Sequence, residues 1–536
     1  MGKIVLVLLV AMLLVLTACS EQPETVPTGH ALTTFKEAAT SDAVILHPYL
    51  STDSASSSYQ GLLYAGGLME RDPVTLDFVP NMAESWAISE DGLTYTFKLR
   101  EGMLWTDGEE ITAYDFKWTF DQMMKPENDY PYIGSLDFIE SYEATGRYEI
   151  TVKIKEPFCP ALEGVDAVTP LPRHVWEGLD WKDPSKNPQI MHPTVTSGPY
   201  KLVEWQREVH AVFEANDTYW KGRPKIDRYT VRIIPEQAIA YTMLLSGEVD
   251  QAPLLPEQYD EVGNNELLNR YEFWLARGSW AYIGFNLRRP HLQDIRVRHA
   301  LNYALYKSAM LQAVMKGLAQ RQPSTIVPSN PYYNENVPFY LYNRIKANKL
   351  LTEAGYPPDP EKAVMSGNIY PHRPNFPKLK LIYGPQSNKV RQKLAVIIQD
   401  YYKKIGIDVE IQSYEWSAYL EALKKEPYDW DLCIGGWNGT INPHWMEQLW
   451  FEETIPQLNH VAYINPDVEA MFKQASQDCD RQDELYDEIQ YIIAVDSPYI
   501  FLWQNMSFSA INKRVKGIKP SVLGLGYDLH EWYIEE

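Results

Sequence analysis

Residues 378–411 read KLKLIYGPQSNKVRQKLAVIIQDYYKKIGIDVEI. Leu379, Leu381 and Tyr383 alternate with Lys380 and Ile382, which is the period-two pattern of a short strand. Asn388 is a side chain suited to cap a helix, and Val390, Leu394, Ile397, Ile398 and Tyr401 then fall on one helical face. Gly406 suits the end of that helix, and Ile407, Val409 and Ile411 alternate again as a second strand. A strand–helix–strand unit of this length predicts two parallel strands joined by a right-handed crossover, and hence an α/β fold.

The same interleaving extends outward. Thr94 to Leu99 alternates as a strand after the Asp91-Gly92 turn, and Thr112 to Met124 is helical, with Asp115, Phe116, Phe120 and Met123 at helical spacings. Tyr200 to Glu204, His210 to Glu214 and Tyr229 to Ile234 are further strands. Asp294 to Gly317 reads as one capped helix, with Val297, Leu301, Ala304 and Leu305 on one face. Arg344 to Ala354 is another, stopped at Gly355 and by Pro357 and Pro358, which forbid its continuation. No solenoid-type repeat is present.

The N-terminus has a different character. Lys3 precedes an unbroken apolar run from Ile4 to Leu16, about 20 Å long as a helix and short of a bilayer core of about 30 Å. It reads as the apolar region of a signal peptide over residues 1–18. Leu16-Thr17-Ala18-Cys19 resembles a bacterial lipobox, which implies lipidation of Cys19. A tether-like stretch with Pro23, Pro27 and Gly29 follows over 19–30. Acyl chains on one cysteine make a stable anchor, at about 0.8 kcal/mol per buried CH₂.

The formal net charge is −22, so the surface repels nucleic acid and anionic lipid headgroups, and a nucleic-acid role is excluded. Hydrophobic residues make up 45% of the chain, enough for a sizeable core. The 4 cysteines are Cys19, Cys159, Cys433 and Cys479. With Cys19 lipidated, at most one disulfide forms among the rest, and all three pairings stay open. Zinc-type Cys/His spacing is absent, and no cofactor or metal is expected. The 16 Trp and 36 Tyr suit a cleft that grips flat or apolar ligands.

Several ordered motifs resemble the bacterial extracellular solute-binding proteins of family 5, the peptide, oligopeptide and nickel receptors of ABC importers. They begin with Asn81-Met82-Ala83-Glu84-Ser85-Trp86, then Asp91 to Arg100 and Trp105-Thr106-Asp107-Gly108-Glu109. Ser197-Gly198-Pro199-Tyr200, Tyr219 to Pro224 and Leu245-Ser246-Gly247-Glu248-Val249-Asp250 continue the series. Ile283 to Asn286, Asp294 to Leu301, Ala354-Gly355-Tyr356, Gly436-Trp437 and Asp496 to Ile500 complete it. Most of these are turn formers or packing residues, Trp86 and Trp105 included, so they identify the fold rather than the site.

The resemblance implies a periplasmic-binding-protein-like type II fold, with two α/β lobes around a cleft and an extra domain on the first. Lobe I would comprise residues 31–60, 195–277 and 503–536, the extra domain 61–194 and lobe II 278–502. The chain would cross between lobes near Gly278–Tyr282 and near Ile500–Gln504, which permits hinge closure. The function implied is that of a lipid-anchored, extracytoplasmic monomer that hands a small ligand, a peptide by family default, to a membrane permease and its ATPase.

The candidate site is Gly435 to Pro443, placed at the exit of a strand spanning Asp431 to Ile434. There Gly436 and Gly439 allow close backbone approach, Trp437 is matched to a family cleft tryptophan, and Asn438, Thr440 and Asn442 supply neutral polar groups. Trp416 is a second wall, with Ser279, Trp280 and Tyr282 as weaker members. Peptide-binding members carry an aspartate for the peptide ammonium where this chain has Thr440. Losing that partner would cost about 3–5 kcal/mol for a free peptide. Either Glu447 or Glu415 substitutes, or the ligand is an oligosaccharide, a blocked peptide or a metal chelate. Tyr306 is a second departure, where the family has an aspartate, and is read as structural. A sensing role is the alternative within the receptor class. A hydrolase is the alternative outside it, but no GxSxG or HExxH occurs, and His291 and His299 read as surface residues.

Overall fold

The computed structural model describes residues 32–51, 53–359 and 372–535, so Cys19, the signal peptide and the tether lie outside the described residues. β1 (Thr34–Ala39) leads to α1 (Ser54–Leu63), capped by Asp53, whose carboxylate accepts from the Ser56 N–H at 2.8 Å. β2 (Ala83–Ile88), β3 (Thr94–Leu99), β4 (Ile139–Gly146) and β5 (Glu149–Ile154) form an antiparallel sheet in the order β2-β3-β5-β4. α2 (Ala113–Met123) covers it, and Phe120 stacks on Tyr142 with ring centroids 4.7 Å apart.

β6 (Tyr200–Gln206), β7 (His210–Ala215) and β8 (Arg228–Ile233) return to β1 in the order β1-β8-β7-β6, with β1 and β8 parallel from Thr34↔Arg228 to Ala39↔Ile233. After β9 (Leu268–Phe273), β10 (Ser279–Phe285) starts a six-stranded sheet ordered β11-β15-β10-β14-β12-β13. Its other members are β11 (Ala319–Arg321), β12 (Leu379–Tyr383), β13 (Val409–Ser413), β14 (Leu432–Asn438) and β15 (Tyr499–Asn505). β16 (Ser507–Asn512) pairs back on β9. The chain thus passes from one sheet system to the other at β9–β10 and again at β15–β16. Gly278, at the first passage, has φ +71°, and a Cβ there would come within 2.4 Å of Val327.

Residues 378–411 fold as their sequence pattern predicts. β12 and β13 are parallel, from Leu379↔Val409 to Tyr383↔Ser413. α5 (Arg344–Glu353) precedes this unit and α7 (Trp416–Lys424) follows it; α6 (Lys389–Lys403) between the two strands buries Leu394, Ala395, Ile398 and Tyr402, and Asn388 caps it. Two expectations need correction. The helix read over Asp294–Gly317 is two, here α3 (Ile295–Tyr303) and α4 (Lys307–Met315). The break lets the buried Lys307 turn back, so that its Nζ donates to the Asn302 and Tyr340 carbonyls at 2.8 and 3.0 Å. His291 and His299 are also turned inward; His299 Nε2 lies 2.7 Å from the Val495 carbonyl, and the His291 side chain is 14% exposed beside Asp431. Tyr306 is half-exposed and stacks on Tyr342, with centroids 5.4 Å apart.

The cysteine pairing is Cys159–Cys479, with Cys433 free and buried. Cys159 follows β5, whereas Cys479 sits between α8 (Pro466–Gln477) and α9 (Gln482–Asp496), which pack beside the six-stranded sheet. The bond therefore ties the β2–β5 layer to the helices beside the six-stranded sheet, across 320 residues of sequence. The Cys159 N–H also donates to the Ser476 carbonyl at 2.8 Å, and Phe158 meets His444 edge-on at 5.3 Å. The paired variant Cys159→Ser/Cys479→Ser should lose about 2–4 kcal/mol in denaturant unfolding, the range for a bond closing a long loop. An unchanged midpoint would mean that the bond constrains neither state.

Candidate functional site

β14 is the element on which the site rests. It extends through Asn438 rather than stopping at Ile434, so Gly436, Trp437 and Asn438 are strand residues and not a loop at a strand exit. The cause is β10, which pairs with it without interruption from Phe285↔Leu432 to Ser279↔Asn438. On its other side β12 pairs only through Leu381↔Leu432, Ile382↔Cys433 and Tyr383↔Ile434. β12 then ends and Gly384-Pro385 follows, the proline having no N–H to offer. Gly435 to Asn438 is consequently a stretch of strand with one edge unpaired in the interior of a sheet.

The glycines are dictated by neighbours. A Cβ on Gly435 would fall 2.3 Å from the Tyr282 ring, and one on Gly439 would fall 2.6 Å from the Arg277 carbonyl. At Gly436 a Cβ would stand 3.0 Å from the Trp280 carbonyl, a tight contact, and 3.8 Å from Arg391 Nη2.

The expected site residues separate into three groups. Trp280 and Tyr282 are 1% and 2% exposed, so they support the cleft from behind and are not its wall. Their strand turns them into a cluster with Tyr499 and Phe501, Tyr282 stacking on Tyr499 at 4.0 Å. Trp437 is partly buried and lies nearly parallel to Tyr282, at 6.3 Å, and to His460, at 5.8 Å. Asn442 is also committed to the fold, because its Oδ1 accepts from the His444 N–H at 2.9 Å at the start of a short 3₁₀ turn. Trp416 is 47% exposed, and Asn438, Gly436 and Thr440 are exposed along the edge. The Thr440 hydroxyl donates to the Asn442 carbonyl at 2.8 Å.

Thr440 opens onto a cavity of about 560 Å³ between the layer that carries β2–β5 and the segment Thr440–Gln448 that follows β14. Its walls include Tyr132, Phe158 and Glu163 on one side, and Trp445 and Glu447 on the other. Of the two substitute carboxylates considered, Glu447 thus shares a cavity with Thr440; Glu415 instead accepts from Gln386. Burial raises the Glu447 carboxyl to about 7, helped by Glu453, and burial lowers the His444 imidazole to about 4. Their 3.3 Å contact therefore involves an uncharged imidazole at neutral pH. Glu163 is held by Arg71 and by the Asn442 backbone N–H, although burial still raises its pKa.

A second cavity, of about 440 Å³, lies at the carboxyl end of β1, the end of a parallel strand at which α/β sheets bind ligands. Thr40, Ser41, Ser54, Tyr59 and Trp532 line it, and the Glu37 carboxylate in its wall accepts from the Tyr229 hydroxyl at 2.6 Å. Glu37, Glu163 and Arg391 carried no signal in the sequence, since only the fold brings them to a cavity or beside the glycine strand. Among the described residues no group of three His, Cys, Asp or Glu side chains is placed to hold a metal, and no helix is long and apolar enough to cross a membrane.

The family model of the bacterial extracellular solute-binding proteins, family 5, middle region, matches residues 77–454. The chain belongs to that family. The oligopeptide-binding protein AppA of Bacillus subtilis is 27% identical over 503 residues, covering 92% of this chain and 90% of AppA. The heme-binding protein A of Haemophilus influenzae is 27% identical over 484 residues, covering 85% and 84%. The solved structure of Bacillus subtilis AppA with a nonapeptide aligns with a TM-score of 0.79 at 27% identity, covering 94% of this chain and 99% of that one. NikA of Brucella suis, solved with Fe(III)-EDTA, aligns at 0.83 and 22% identity, covering 94% and 100%, a likeness of fold. This family 5 chain accordingly has the type II periplasmic-binding-protein architecture, and the relatives are binding proteins rather than enzymes.

The raised Glu447 has a thermodynamic consequence. Its folded pKa of about 7 lies above the ordinary 4.5, so stability is full at low pH and is lost as pH rises between those values. Glu447→Gln removes that loss. The variant should gain on the wild type by at most about 3 kcal/mol from acid to mildly alkaline pH, read as the difference between two stability–pH curves. Parallel curves would show that Glu447 is not buried as described.

Proposed function

We propose that this protein is a receptor tethered through Cys19 outside the cytoplasm, which captures a peptide or peptide-like ligand between two lobes and delivers it to an ABC permease. The observation that carries the reading is the unpaired edge of Gly435–Asn438. An extended ligand laid along it satisfies backbone donors and acceptors as an added strand, which recognises length and backbone without depending on side-chain identity. Trp416, exposed beside α6, adds a flat apolar wall.

The lobes on this reading are residues 31–60, 195–277 and 503–536 for lobe I and 278–502 for lobe II, with 61–194 as the extra domain. The three larger sheets support that division, each being built from strands of one segment group except that the strand Tyr499–Asn505 of the six-stranded sheet runs across the boundary at 502. The ligand favours the closed state only so far as it touches both lobes, since only differential affinity moves the equilibrium. The lipid on Cys19 keeps a monomeric receptor near its permease and so raises its effective concentration there.

Native mass spectrometry of the purified protein, followed by denaturation, should release a peptide-like ligand. A scan of that ligand by single N-methylation should then weaken binding about tenfold at alternate positions, as expected when every second backbone N–H faces the protein. Equal effects at all positions, or none, would rule out strand addition.

A further inference from the structure

The cavity of about 560 Å³ at Thr440 has the volume of a small-molecule pocket, a class that runs from about 300 to 1,000 Å³. Its largest side chains are aromatic. Tyr132, Phe138 and Phe158 come from the layer that carries β2–β5, and Trp445 comes from the segment that follows β14. Phe138 and Phe158 pack on each other with centroids 4.6 Å apart, and Tyr132 is exposed at the margin. Such rings present flat apolar area at little conformational cost.

The protein's own contacts hold the two walls together. Cys159, bonded to Cys479, stands between Phe158 and Pro160, which both line the cavity. The Cys159 N–H donates to the Ser476 carbonyl at 2.8 Å, Phe158 meets His444 edge-on at 5.3 Å, and the Asn442 backbone N–H donates to the Glu163 carboxylate. An occupant therefore meets walls that are already in place, which lowers the ordering cost of binding.

Three titratable side chains line the cavity. Glu163 is paired with Arg71 at 2.5 Å, burial keeps His444 uncharged at neutral pH, and burial raises Glu447 to about 7. Surroundings that hold their own carboxyl half-protonated are a poor solvent for a ligand charge of either sign. Thr440, at the opening, is neutral and lies two residues past the end of β14, so an extended ligand paired along Gly435–Asn438 runs out towards it. We infer that this cavity is a subsite for an uncharged aromatic or acyl group carried at one end of the extended ligand. The inference rests on the strand-edge reading above and adds to it a class of ligand: chains capped at one end by an apolar group.

Isothermal titration calorimetry of the purified protein with five tetraalanines tests it: the free peptide, its N-acetyl and N-benzoyl forms, and its C-terminal methylamide and anilide. At one terminus the aromatic cap should bind at least about tenfold tighter than the small cap, as expected when a phenyl ring leaves water. At the other terminus the two caps should differ by less than about threefold. Thr440→Trp, which fills the opening, should reduce the gain to less than about threefold, with the small-capped peptides bound as before and an unchanged melting temperature. Tyr132→Ala, at an exposed wall position, should reduce the same gain and provides the test if the tryptophan disturbs the turn at Asn442. Equal binding of small and aromatic caps at both ends would overturn the inference and leave the strand-edge reading standing. A gain that survives both substitutions would place the ring elsewhere and also overturn it, as would tightest binding of the free peptide. Failure of all five peptides to bind would count against the receptor reading itself, and the inference would fall with it.

Discussion

β14 has a neighbour on both sides only as far as Ile434. Beyond that point β10 alone holds it, and four residues keep strand geometry with one edge free. A free edge inside a sheet is costly to leave dry and hazardous to expose, because its N–H and C=O groups look for partners. Most of the local architecture follows from that constraint. Gly435 and Gly439 are glycines because Tyr282 and the Arg277 carbonyl stand where side chains would go. Tyr282 in turn is fixed by Tyr499 and Trp437, so the exposed edge is backed by a rigid aromatic stack.

Charge is arranged around the edge with the same economy. Burial works against ionisation at Glu447 and His444, and the contact between them is therefore weakly charged. Glu163 faces the same cavity but is neutralised by Arg71 from its own layer. Arg391 is the exception, being half-buried and without an ion-pair partner among the described residues, while it donates to the Gly384 carbonyl and stands 5.6 Å from the centre of the Trp416 ring.

The connections between the two sheet systems define what can move. Two strand passages, at β9–β10 and β15–β16, are the usual substance of a hinge. The Cys159–Cys479 bond adds a third, on the far layer, where Cys159 and Ser476 also share a backbone hydrogen bond. A body joined at both its hinge and one rim rotates most freely about the line between them. On the side of Glu257 and Lys393 a side-chain ion pair joins the two sheet systems.

Local pattern was enough for much of this. Alternation and capping in residues 378–411 specified β12, α6 and β13, since a strand or helix that buries one face must repeat its apolar residues at the period of its backbone. The ordered motifs specified the family, and Asp91-Gly92 and Asp107-Gly108 specified turns, both glycines having positive φ. The split of residues 294–317 into two helices was not legible, because it depends on where the buried Lys307 finds carbonyl partners, one of them in distant Tyr340. The length of β14, the burial of Trp280 and Tyr282 and the choice of Cys159 and Cys479 were hidden for the same reason. So was the place of Arg391, which in sequence is one more cation in the first turn of an amphipathic helix. The sequence by itself determined elements, family and the glycine-rich strand, because these depend on neighbours along the chain. Only the tertiary structure decided which edge is open and which charge stands beside it, because pairing partners and burial come from residues tens to hundreds of positions away.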